Sequence, residues 1–158
     1  MKTLIRKLLK EQEEIITLPP FEYFDYDWNL VLELSEGKPF KILGNVSLRG
    51  NQEITTLGNC YAVGGWLSLF NCENLQSLGN LTEVGGDLNL DWCTNLQSLG
   101  NLTEVGGDLV LEDCKNLQSL GNLTEVGGDL YLQNTPIAHI MTEDEIRQQV
   151  NVGGNIYM

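Results

Sequence analysis

The chain is expected to fold as a mainly β, right-handed parallel β-solenoid of 21-residue coils, with an N-terminal capping helix and a short C-terminal helix. Three observations lead there. The 15 residues from Asn74 to Leu88 recur unchanged at 95–109 and at 116–130, which fixes a period of 21. A unit of that length is too short for two packed helices, and its three glycines, in Gly-Asn and Gly-Gly pairs, favour turns. Its Leu88-x-Leu90 step has the period of 2 of a short strand. One copy cannot bury its own apolar positions (Leu75, Leu78, Leu81, Val84, Leu88, Leu90 and Cys93), but neighbours stacked about 4.8 Å apart can.

In order, the chain divides into an N-terminal cap over 1–41, the repeat solenoid over 42–141, and a C-terminal helix and final strand over 142–158. Residues 3–16 place Leu4, Ile5, Leu8, Leu9, Ile15 and Ile16 on one side at helical spacing, and Pro19-Pro20 ends that helix. The stretch Phe21–Trp28 holds 5 of the 12 aromatic residues and reads as a plug over the first coil, or else as an exposed acidic-aromatic docking strip. Asn29–Leu34 reads as a capping strand. Decayed copies of the repeat start at Ile42 and Ile54, and a last half-copy runs from Val152 to Met158. The final period stretches to 26, from Val126 to Val152, to make room for a helix opened by the capping-box pattern Thr142-Glu-Asp-Glu145 and reaching about Gln149. Nothing in the sequence is left to cover the closing strand Ile156-Tyr-Met158. Either that helix folds over the open edge or a second subunit does.

The segment Leu88-x-Leu90-x-x-Cys93-x-x-Leu96 resembles the strand segment of leucine-rich repeats, with glycine (Gly85, Gly106, Gly127) in place of its first leucine. The wider phrase Leu-Gly-Asn-Leu-Thr-Glu-Val-Gly-Gly-Asp-Leu is similar to the coils of receptor L-domains. It is also similar to short repeat proteins of phages and other mobile elements. The resemblance spans about 42–158. Its Asn-or-Cys position falls on Asn51, Cys72, Cys93, Cys114 and Thr135, and it implies that these residues sit in the turn after the strand and bond the backbone of neighbouring coils. A row of metal-binding thiols is the rival reading, disfavoured because no second cysteine pair or histidine completes a tetrahedral set.

Charge decides which functions are in play. Residues 50–158 hold Lys115 and Arg147 against 14 acids, net −12, out of −13 for the chain. Direct binding to nucleic acid or to an anionic membrane is therefore not expected. The basic start, Met1–Lys10, has no uninterrupted apolar stretch, and no apolar run approaches the roughly 18 residues that span a bilayer, so a cytoplasmic location is expected. No enzyme is expected either. The single histidine, His139, lies outside the repeat with no nucleophile pattern beside it, and the glycine turns lack the Lys-Ser/Thr of a phosphate loop. No cofactor or metal is called for.

The three perfect copies differ only in the six residues that follow, and the changing positions point outward. The face so defined carries Trp66, Phe70, Asp87, Asp91, Trp92, Asp108, Glu112, Asp113, Asp129 and Tyr131, aromatics set among carboxylates, which is the chemistry of binding hot spots. A second acidic row, Glu83, Glu104 and Glu125, runs beside it. The expected partner is a basic protein surface or the nucleic-acid-binding groove of a host protein, with carboxylate rows imitating phosphates. The resemblance to phage-borne proteins implies an inhibitor of a host defence system, an anti-CRISPR or other anti-defence protein. The alternative is an assembly protein that self-associates, as a homodimer, through its terminal edge strands.

Overall fold

The structure, a computed structural model, describes residues 15–158. The expected helix over 3–16 lies outside them apart from its last two residues, and Ile16 begins a strand instead. Thirteen strands are described: β1 (Ile16–Leu18), β2 (Phe40–Ile42), β3 (Val46–Ser47), β4 (Cys60–Val63), β5 (Leu67–Ser68), β6 (Glu83–Val84), β7 (Leu88–Asn89), β8 (Glu104–Val105), β9 (Leu109–Val110), β10 (Glu125–Val126), β11 (Leu130–Tyr131), β12 (Asn151–Val152) and β13 (Ile156–Tyr157). They form two sheets, both parallel throughout. Sheet A runs β1-β2-β4-β6-β8-β10-β12 and sheet B runs β3-β5-β7-β9-β11-β13. The chain is thus a parallel β-solenoid of about six turns.

The register is the 21-residue period made physical. Val84 lies opposite Val105, Leu88 opposite Leu109, and across the long last turn Val126 lies opposite Val152. Sheet A, built on Glu-Val, is a second strand per coil that the Leu-x-Leu signal does not reveal. The third side is held by bridges between Thr56 and Ser77 and between Ser98 and Ser119. All seven inward positions of each perfect copy are buried, with Thr135 in place of cysteine in the third, so the core is one column chiefly of leucine, valine and cysteine along the axis.

The paired glycines are demanded by how closely the coils approach. A Cβ on Gly106 would run into the carbonyl oxygen of Gly85, and one on Gly107 into the carboxylate of Asp87, both in the coil before. The same collisions recur one coil on, at Gly127 and Gly128. Gly-Gly-Asp is therefore one packing unit. The aspartate of one coil fills the space that the second glycine of the next leaves open.

Three of the four cysteines stack into a column and serve the backbone. Cys72, Cys93 and Cys114 donate their S–H to the carbonyls of Leu48, Leu69 and Leu90 in the preceding coil, at 3.0, 3.2 and 3.0 Å. At the same step of the repeat, Asn51 Oδ1 accepts from the Glu53 and Ile54 N–H groups, and Thr135 Oγ1 donates to Leu132 O at 2.7 Å. Burial pushes the Cys60 and Cys114 thiols up to about 12 and raises those of Cys72 and Cys93. These are inert packing groups.

At the N-terminal end, Asn29–Leu34 is not the strand that its alternating leucines suggest. Helix α1 (Trp28–Leu34) forms because Asp27 caps it, accepting from the Asn29 and Leu30 N–H groups, while Trp28 and Val31 turn inward three residues apart. A 3-10 turn (Phe21–Phe24) precedes it. Phe21, Phe24 and Trp28 are buried, and Trp28 packs 6.0 Å from Phe40 of β2, whereas Tyr23 and Tyr26 are 71% and 68% exposed. The aromatic stretch is plug on one side and exposed surface on the other.

At the C-terminal end, α2 (Ile137–Ile140) and α3 (Glu143–Gln149) fill the longer last turn, with the capping box of Thr142 and Glu145 in place. Ile146 and Val150 are fully buried. In sheet A each coil's glycine N–H groups donate back to the coil before: Gly127 to Val105 O, Gly128 to Gly107 O, Gly153 to Val126 O and Gly154 to Gly128 O. The next two acceptors in those series are Val152 O and Gly154 O. The Arg147 guanidinium donates to both, at 3.1 Å each, while Glu143 holds it at 2.9 Å. One fork from α3 thus takes the two acceptors that a following coil's glycine N–H groups would otherwise use.

Candidate protein-binding face

Outward positions of sheet B and of the turn that follows it make one continuous surface, because the solenoid puts residues 21 apart side by side. At the corner entering sheet B stand Asn45, Trp66, Asp87, Asp108, Asp129 and Asn155. In the strands stand Ser47, Ser68, Asn89, Val110, Tyr131 and Tyr157. In the turn stand Phe70, Asp91, Glu112 and Gln133. Asn71, Trp92, Asp113 and Asn134 follow them in left-handed backbone (φ 55–61°), the conformation that swings these four side chains off the strand. All ten residues singled out from the sequence lie on this surface, and Glu83, Glu104 and Glu125 face outward on sheet A, across the Gly-Gly corner.

The aspartate row has a structural duty that charge-based reading misses. Asp87 Oδ1 accepts the N–H of Asp108, Asp108 Oδ1 that of Asp129, and Asp129 Oδ1 that of Asn155, at 2.7–2.8 Å. Asn45 does the same for Trp66 at 3.0 Å. The position requires a short side chain with an oxygen, not a negative charge, and the asparagines at both ends of the row are the sequence signal for that. Trp66 is the exception within the row. It offers no acceptor, and among the described residues the Asp87 N–H has no hydrogen-bond partner.

The aromatics differ in what already covers them. Arg49 lies 4.8 Å above the Phe70 ring, Lys115 lies 5.3 Å from the Trp92 ring, and Tyr131 stacks on Tyr157 with centroids 4.7 Å apart. Trp66 is 41% exposed and has no such partner among the described residues. Beside it an open groove of about 430 Å³ is lined by Arg49, Ser68, Asp87, Asn89, Asp108 and Val110, among others. On its other flank, a second hollow separates Trp66 from Phe21 and Tyr26 of the cap.

Electrostatics concentrate in the turn. Asp91 has a fully buried Oδ1 with no partner, and its carboxyl is pushed up to about 6, first by burial and then by the charges of Glu112 and Asp113. Among the described residues only Asp113 and Glu143 have ion-pair partners, Lys115 at 4.0 Å and Arg147 at 2.9 Å. No group of three or more histidine, cysteine or acidic side chains among them is placed to hold a metal ion, and no described helix is long and apolar enough to cross a membrane.

No family model, curated protein or solved structure matches the chain. The face has to be judged on its own chemistry.

Proposed function

We propose that the chain is a non-enzymatic protein-binding scaffold whose sheet B face, with the flanking glutamate row, docks onto a basic groove of another protein, one that otherwise holds nucleic acid. The observation that carries this reading is the regular negative charge, which has no ion-pair partner among the described residues. Two rows, Asp87-Asp108-Asp129 and Glu83-Glu104-Glu125, each repeat once per coil. At about 4.8 Å per coil they give together roughly one charge per 2.4 Å of axis, against roughly one per 1.7 Å for duplex DNA. Such a field speeds encounter with a basic partner, and exposed Trp66 and Trp92 supply apolar contact once it is seated. The likeness of the coils to leucine-rich repeats, and to repeat proteins of phages and mobile elements, supports an inhibitor of a host defence or nucleic-acid-handling complex acting in the host cytoplasm.

The aspartate ladder dictates how to test it. Lysine at 87 or 108 would destroy a coil-to-coil hydrogen bond along with the charge, whereas asparagine keeps the acceptor, as Asn45 does. A variant with Asp87, Asp108 and Asp129 changed to Asn and Glu83, Glu104 and Glu125 changed to Gln should fold normally and lose its partners in affinity capture across a salt series. Wild-type captures should be nucleic-acid-binding proteins, released by added duplex DNA. Unchanged capture by the neutralised variant would defeat the proposal.

A second reading has one specific observation behind it. Among the described residues β13 pairs only with β11, so its other edge is available for self-association. A concentration-dependent increase in sedimentation coefficient of the wild type would favour it.

A further inference from the structure

Trp66 breaks the rule its row otherwise obeys. Asn45, Asp87, Asp108 and Asp129 each serve the next coil's N–H with a side-chain oxygen. At Trp66 that bond is forfeited, and the Asp87 N–H is left without a partner among the described residues. A large indole is exposed at the same spot, at the mouth of the groove shared with Asp87 and Asp108. Violations of an otherwise consistent local rule concentrate at functional positions. Three unmet capacities therefore meet here: a bare aromatic face, carboxylates whose second oxygens make no described bond, and a free backbone donor.

The molecule itself shows what such a face accepts. Phe70 and Trp92, the neighbouring aromatics, each carry a cation of this chain, Arg49 and Lys115. Trp66 carries none. We propose that Trp66, with Asp87 and Asp108, is the seat for an arginine side chain of the protein partner, whose main-chain carbonyl accepts the Asp87 N–H. A planar guanidinium stacks on the indole and offers its fork to a carboxylate at once, which an ammonium cannot do. Arg49, the one described cation lining the groove, is stacked on Phe70. This inference rests on the reading of the acidic face as a docking surface and names the contact that orients it.

The test uses the full chain and blocked Arg-Gly-Arg and Lys-Gly-Lys peptides, followed by the ¹H–¹⁵N signals of the Trp66 indole and the Asp87 amide. The arginine peptide should shift both signals saturably and bind at least about threefold tighter than the lysine peptide. Trp66→Asp is the decisive variant. It should repair the ladder, slowing exchange of the Asp87 amide, because Gly86 leaves room for a carboxylate as Gly107 does for Asp87. It should also weaken the arginine peptide at least about fivefold. Asp87→Asn, with the ladder kept, should weaken it about threefold, and Asp144→Asn, on α3 outside this face, should leave it unchanged. Equal binding of both peptides, or undiminished binding to Trp66→Asp, overturns the arginine seat. In that event, loss of binding on neutralising both acid rows would leave the wider docking proposal standing, and no loss would remove it too.

Discussion

Removing the Arg147 fork tests whether a solenoid end is closed by side-chain chemistry alone. In Arg147→Ala the carbonyls of Val152 and Gly154 lose two charge-assisted hydrogen bonds, and α3 loses its tie to the last coil. Such bonds contribute about 1.5–3 kcal/mol each, but the side chain is 37% exposed and water takes over part of the role, so the sum is about 2 kcal/mol. Because coils interact only with their neighbours, that loss falls on the terminal turn before it reaches the rest. The Gly153 and Gly154 amides, which donate to Val126 O and Gly128 O, should then exchange about 30-fold faster than in the wild type. The amides of β8 should barely change. If unfolding stays cooperative, the midpoint should drop by about 4–8 °C. Arg147→Lys, with one point donor in place of a fork, should fall between. The two freed acceptors also become available to another chain, so light scattering at high concentration should rise for Arg147→Ala alone. Equal exchange at Gly153 and Gly154 in wild type and variant would refute the edge-closing role.

Three other perturbations separate causes within the fold. Gly106→Ala, which drives a Cβ into the Gly85 carbonyl, should cost about 3 kcal/mol, whereas Gly100→Ala, strained only by its positive φ, should cost about 1 kcal/mol in urea unfolding. Asp91→Asn should raise stability at pH 7. The folded Asp91 carboxyl holds its proton up to about pH 6 against an ordinary value near 4, so wild-type stability from this group falls as pH rises through that window, and the variant's pH profile should be flatter there. Cys93→Val should cost about 0.5–1.5 kcal/mol by removing one of the two donors to Leu69 O, which keeps the Cys72 N–H, with Cys93→Ser recovering part of it, and all four thiols should resist a thiol reagent until the chain is unfolded.

Much of this was legible beforehand because the repeat converts sequence distance into spatial adjacency. Three identical copies fix the inward positions, the cysteine column and the outward rows without any tertiary information. The capping box at Thr142 is equally local. What sequence could not order are choices with two local solutions. Leu30, Leu32 and Leu34 alternate as a strand would, and only the Asp27 cap with Trp28 and Val31 three residues apart tips the segment to helix. Asp87, Asp108 and Asp129 look like charge until the coil-to-coil N–H is in view, although Asn45 and Asn155 at the same step hint at an acceptor. Arg147 gives no signal at all, since its partners Val152 O and Gly154 O become a matched pair only when the last coil closes beneath it.

The 15 residues shared by the three central coils bear on how the molecule can change length. Each pairs with its neighbours in the same strand register, so deleting or adding one copy of 21 residues keeps the strand pairing and the Gly-Gly-Asp packing. The groove would shorten or extend by about 4.8 Å per copy with both lids intact. Unequal recombination between such copies would then be an adjustable ruler, matching the span of the face to its target in fixed increments.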